Sequence, residues 1–101
     1  MNSFTIDRKE LYGLLRTMKP FMKQYTKKKS LKINAEIEFY AGCLSITIPG
    51  SEVNTRCEMR GSGAIYIPFP TLYTYVIKSK EKQITVTLLE VGYKLGNTQF
   101  Q

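Results

Sequence analysis

The sequence predicts an α+β domain, two helices packed on antiparallel sheets in the order strand, helix, strands, helix, strands. Three observations predict it. Two segments carry apolar residues at helical spacing: Leu11, Leu14, Leu15 and Met18, then Phe69, Leu72, Tyr73, Val76 and Ile77. Between these segments, and again after the second, apolar and polar residues alternate in short runs punctuated by Gly and Pro. The chain has 101 residues, 43% hydrophobic and 23% charged, so one domain over residues 1–101 is expected.

The elements follow in order. Phe4-Thr5-Ile6 alternates and reads as a strand. Asp7 is placed to cap the first helix, and Glu10 stands three residues on, as in a capping box. On the far side of that helix lie Lys9, Gly13 and Arg16, with Thr17 and Lys19 nearby. Pro20 disfavours a helical Lys19, so the regular helix is expected to stop there, with Phe21 and Met22 packing in an irregular turn. Gln24 to Ser30 is polar and Lys-rich, a loop.

Leu31, Ile33, Ala35, Ile37 and Phe39 then alternate with Lys32, Asn34, Glu36 and Glu38, a half-buried strand. Ala41-Gly42 turns, Leu44, Ile46 and Ile48 alternate, and Pro49-Gly50 turns again. Val53, Thr55, Cys57 and Met59 form one further strand, and Ala64 to Ile67 another after the Gly61-Ser62-Gly63 break. Pro68-Phe69-Pro70 opens the second helix, since Pro suits a first turn. Thr74, Tyr75, Lys78 and Lys80 are on its polar side. Ile84, Val86 and Leu88, then Tyr93 and Leu95, then Thr98 to Gln101 close the chain around turns at Val91-Gly92 and Gly96-Asn97.

Charge narrows the function. Fifteen Lys and Arg stand against eight Asp and Glu, a net +7. Residues 1–30 carry +6, residues 31–77 carry −1 and residues 78–101 carry +2. The positive charge thus gathers around residues 8–29 and 78–82, on or beside the two helices. There is no histidine, which removes Ser-His-Asp and Cys-His catalysis, the usual imidazole base and most zinc sites. Cys43 and Cys57 belong to no CxxC pair and read as buried, reduced thiols in strands. No apolar run approaches a membrane span, and Met1-Asn2-Ser3-Phe4 lacks a signal-peptide layout, so a cytoplasmic location is expected.

Other motifs reduce to structure. Gly61-Ser62-Gly63 is followed by a strand, whereas phosphate-cradling loops open helices, so it reads as a turn. Glu36 and Glu38 share a strand face and read as its solvated side rather than an acid/base pair. Lys27, Lys28 and Lys29 admit two readings, a solvated loop or phosphate contacts. Tyr75 likewise is a packing residue or a stacking platform. No nucleophile with its base, metal cage or cofactor loop is present, so neither a catalytic residue nor a cofactor or metal is expected.

The order and spacing resemble a known family. Phe4-Thr5-Ile6-Asp7-Arg8-Lys9-Glu10-Leu11 resembles the opening strand and helix of the bacterial DNA polymerase sliding clamp, the beta-clamp family. Leu44-Ser45-Ile46-Thr47 with the strand from Ser51 to Met59 is similar to a clamp hairpin. Ile65-Tyr66-Ile67-Pro68 leading into Leu72 to Ile77 is similar to the family's strand-Pro-helix entry. Ile84-Thr85-Val86 and the Gly96-Asn97 turn match its closing hairpins. The resemblance covers nearly the whole chain through order and spacing, with no single specific motif.

It implies a DNA-clamp-like domain whose two helices face a channel holding duplex DNA by its phosphates, without base readout. The DNA-binding candidates it implies are Lys9, Arg16, Lys19 and Lys23 near the first helix, Lys27, Lys28 and Lys29 in the loop, and Lys78, Lys80 and Lys82 after the second. A clamp subunit carries three such domains and closes a six-domain ring as a dimer. One domain therefore implies a homo-oligomer, with copies meeting head to tail at edge strands. The implied function is non-catalytic: processivity or tethering in DNA replication, with a DNA polymerase or other replication proteins as further partners. The alternatives are a small nonspecific nucleic-acid binder or a protein-interaction module with the same fold and no closed ring.

Overall fold

The protein is described from a computed structural model covering residues 2–24 and 33–101. Strand β1 (Ser3–Asp7) runs directly into helix α1 (Arg8–Met18), and a 3-10 helix (Lys19–Gln24) follows. After residue 33 come β2 (Asn34–Tyr40), β3 (Cys43–Ile48), β4 (Ser51–Arg56), β5 (Glu58–Arg60) and β6 (Gly63–Pro68). Helix α2 (Phe69–Lys78) precedes β7 (Gln83–Leu88), β8 (Tyr93–Leu95) and β9 (Thr98–Phe100). This is the expected α+β arrangement, two helices on two antiparallel sheets.

One sheet has the order β5-β1-β7-β8-β9, the other β4-β3-β2-β6. The pattern is a duplication: β1-α1-β2-β3-β4 is followed by β6-α2-β7-β8-β9. Each half lends its first strand to the other half's sheet, so β1 pairs with β7 and β6 with β2. No internal repeat is visible in the sequence, because the halves share architecture and little side-chain identity.

Local chemistry explains the elements. Asp7 Oδ1 accepts the Glu10 N–H at 3.1 Å, the N-cap bond expected of Asp. The reciprocal half of the capping box is not made: the Glu10 carboxylate instead accepts the Thr55 hydroxyl on β4. That bond ties the helix start to the four-stranded sheet. Pro20 ends α1 in favour of 3-10 turns, which bury Met22, leave Phe21 exposed and extend through Gln24.

Three expectations are corrected. The run from Val53 to Met59 is two strands, not one. Cys57 N–H makes the last bond to the four-stranded sheet, at Gly42 O, and Met59 then pairs with Phe4 in the other sheet. The alternation continues through the switch because both sheets offer an apolar inner face, so period-2 patterning gives no sign of it. Cys43 is exposed, since it shares its face of β3 with Ser45 and Thr47, and Cys57 is half-buried at the break. Ile77, assigned to the apolar stripe of α2, is 50% exposed in the last turn of that helix.

The core is one cluster. Phe4 of β1 meets Phe39 of β2 at 5.1 Å between ring centroids, joining the two sheets. Leu11, Leu15 and Met18 from α1, with Phe69, Leu72 and Val76 from α2, are buried in the same cluster. Each such side chain contributes about 1.5–3 kcal/mol on burial. Among the described residues no polar or charged residue is buried.

Candidate nucleic-acid interface

The two helices lie side by side and antiparallel. At the start of α1, Arg8 N–H donates to the Lys82 carbonyl at 2.8 Å, and Arg8 Nε donates to the Glu81 carbonyl at 3.1 Å. At its other end, Lys19 Nζ sits 4.6 Å from the ring centroid of Tyr73 in α2, a cation–π contact. Tyr12 and Tyr73 meet between these points at 6.1 Å.

This packing brings together cations from opposite ends of the chain. Arg8, Lys9, Lys80 and Lys82, with Asp7 and Glu81, line one shallow cleft at the N-terminus of α1. Lys9, Lys80 and Lys82 are exposed there. Arg16 is seven residues beyond Lys9, two helical turns and about 10 Å along the same face. Lys19 continues the row, and Lys78 is exposed in the last turn of α2. Gly13 lies between Lys9 and Arg16, and nothing stands within 4 Å of where a side chain would begin. The helix surface is open there, so an anionic backbone can approach closely between the two cations.

Arg8 and Lys9 stand at the positive end of the α1 dipole, where cations are ordinarily disfavoured. An anion in the cleft would meet both the side chains and the dipole. Arg8 was not singled out from the sequence. Its backbone N–H and guanidinium hold the segment at 81–82 against the start of α1, and a cation in a first helical turn was the available signal. Asp7 is occupied as the N-cap, and the Glu10 carboxylate by Thr55.

The outer face of the four-stranded sheet has the opposite character. Among the described residues, Glu36, Glu38 and Glu52 share it with the single cation Arg56. Glu36 is held above its ordinary carboxyl pKa, first by its hydrogen bond with Glu38, then by desolvation and the Glu38 charge. The domain is therefore polarised, basic across the helices and acidic on this sheet.

The structure brings Lys9, Lys80 and Lys82 together in the cleft at the start of α1, and Arg16, Lys19 and Lys78 are exposed elsewhere on or beside the two helices. Lys27, Lys28 and Lys29 lie outside the described residues, as does the side chain of Lys23. Tyr75 is half-buried, with its hydroxyl seated over Gly96, which is the packing role. Among the described residues no three His, Cys, Asp or Glu side chains gather to hold a metal, and no helix is long and apolar enough to cross a membrane.

Solved structures of bacterial clamps share this fold. The chain is similar to the DnaN sliding clamp (DNA polymerase III subunit beta) of Bartonella birtlesii bound to griselimycin. It shows 20% identity and a TM-score of 0.76 over 100% of this chain and 29% of that one. It is similar to the beta subunit of DNA polymerase of Streptococcus pyogenes at 18% identity and TM-score 0.75, over 97% of this chain and 29% of that one. The DNA polymerase III beta subunit of Thermotoga maritima gives 16% identity and TM-score 0.75, over 99% and 29%. No family model matches the chain, and no curated protein matches it by sequence. The chain has the fold of a single clamp domain and spans less than a third of these clamp chains.

Proposed function

We propose that the chain is a non-catalytic DNA-binding protein that lays its helix pair on the phosphates of duplex DNA. Copies assemble into a ring that tethers replication proteins such as a DNA polymerase. The carrying observation is the convergence of Lys9, Lys80 and Lys82 in one cleft, in line with Arg16 and Lys19, on a domain whose opposite sheet face is acidic. These cations meet phosphates and carry no base-reading geometry, so binding is independent of sequence. Each clamp chain is about three times as long as this one, so a ring of comparable size takes six copies joined at free strand edges.

The test is retention on closed circular duplex DNA before and after linearisation. A ring is retained on the circle and lost from the ends of the linear form. Equal retention on both supports a second reading, an open nonspecific binding surface. The net charge of +7 favours that reading, because a strongly basic domain holds DNA without encircling it. Absence of DNA binding at low salt would refute both and leave an interaction module.

A further inference from the structure

The four-stranded sheet ends in two unlike edges. Among the described residues no strand pairs with the outer side of β4 or of β6. Ser51 pairs with Ile48 across the two-residue Pro49-Gly50 turn, and Cys57 N–H donates to Gly42 O at 3.1 Å. Residues 51, 53, 55 and 57 therefore direct their backbone groups toward β3, and Glu52, Asn54 and Arg56 direct theirs outward. Their side chains are exposed on the acidic outer face. On β6, Phe69 N–H donates to Ile33 O at 2.9 Å, which sets the opposite residues facing out: Ala64, Tyr66 and Pro68. Pro68 has no N–H to offer.

We infer that β4 is an interface for a second copy of this chain, with the two β4 strands antiparallel about a two-fold axis through Asn54. In that register Asn54 faces Asn54, Glu52 faces Arg56 and Arg56 faces Glu52. Each of the three outward residues exchanges both of its ladder bonds, two opposite-charge pairs form, and no like charges meet. Charged residues on an edge normally repel strand addition. Here they are spaced symmetrically about Asn54, so they reject most strands and match their own copy. Head-to-tail pairing with β6 would set Glu52, Asn54 and Arg56 against Pro68, Tyr66 and Ala64. Neither charge would be met, and one ladder bond would be missing.

The axis is normal to the sheet, so two four-stranded sheets become one and both helix pairs stay on the same side. The cations of two chains then share one surface. The inference goes beyond the DNA-binding reading and stands independently of it. A closed ring would alternate this junction with a second one at another free strand edge.

The experiment uses the full chain. Light scattering should give at least twice the 11.6 kDa chain mass, a dimer through β4 alone and a larger even-numbered assembly where a second junction closes the ring. Arg56→Glu or Glu52→Arg alone should break the β4 junction and lower that mass, and the two together should restore it. With Cys43 and Cys57 replaced by Ser, Asn54→Cys should oxidise to a symmetric disulfide dimer. Opposite residues in a bonded antiparallel pair lie about 5.5 Å apart at Cα, within disulfide range. Circular dichroism confirms that each variant folds. A monomeric parent chain, or a folded double swap that does not regain the parent mass, overturns the inference. So does an Asn54→Cys chain that cross-links to a Tyr66→Cys chain and not to itself. DNA affinity is read separately by anisotropy, so a dimer that ignores DNA refutes the proposed function and leaves this interface standing.

Discussion

Replacing Lys9, Lys80 and Lys82 together by Ala removes the cations of the cleft at the start of α1 while leaving its frame in place. All three side chains are exposed. The bonds that hold the segment at 81–82 against α1 run from Arg8 to backbone carbonyls, which the substitutions retain. Each phosphate neutralised on duplex DNA contributes about −0.9 to the slope of log affinity against log salt. If Lys9, Arg16, Lys19, Lys78, Lys80 and Lys82 each meet one phosphate, the slope from these residues is about −5.4 and affinity falls about 2,000-fold between 50 and 200 mM salt. With three removed, the slope becomes shallower by about 2.7 and the same salt step costs about 40-fold. Lys23 and Lys27 to Lys29 add equally to parent and variant, so the change in slope is the informative quantity. Fluorescence anisotropy on two short labelled duplexes of unrelated sequence measures it. The loss should be the same on both, since phosphate contacts position without specifying. A variant with the parent slope would refute the placement of DNA on the helix pair. A loss confined to one duplex would refute the phosphate character of the contacts.

Three further outcomes follow from the packing. Gly96 has φ +60°, and a side chain there would collide with the Tyr75 hydroxyl, so Gly96→Ala should destabilise by about 1–2 kcal/mol and lower Tm on the order of 5–15 °C. Adding Tyr75→Phe should return part of that loss in calorimetry, because the colliding atom is gone. Thiol labelling should modify exposed Cys43 well before Cys57, whose thiol is held above its ordinary 9.0 by burial and then by Glu10 and Glu58. Glu38→Gln should bring the Glu36 pKa back toward its ordinary 4.5, as read by NMR titration. The raised folded-state value means the unfolded chain ionises Glu36 more readily. The substitution should therefore stabilise at neutral pH, with the gain vanishing as pH falls below 4.5.

Most of the fold was legible because its signals are local. The Asp7 cap, the Ala41-Gly42 and Pro49-Gly50 turns and the alternation of β2 and β3 each follow from a few adjacent residues. The break at Cys57 was not legible, since an inward Val53 and an inward Met59 keep the same parity on different sheets. The exposure of Cys43 was open to a parity count against Leu44 and Ile46, and treating cysteine as generically buried obscured it. Among the site residues, the basic clusters were visible as composition. Their meeting was not, because it depends on which strand each half lends to the other.

That exchange of strands accounts for the site. β1 pairs with β7 in the register Asp7 opposite Gln83, so residue 8 is placed beside residue 82 by the sheet ladder itself. The Arg8 N–H to Lys82 O bond continues that ladder one step past the strand ends, into the first turn of α1. Lys9 and Lys80 follow on either side. The basic cleft is thus a consequence of strand register rather than of side-chain attraction, which seven like charges could not supply across the helix pair. A one-residue slip of β1 would turn Phe4 and Ile6 out of the core. The burial of those two side chains is therefore what holds Lys9, Lys80 and Lys82 within reach of one stretch of phosphate backbone.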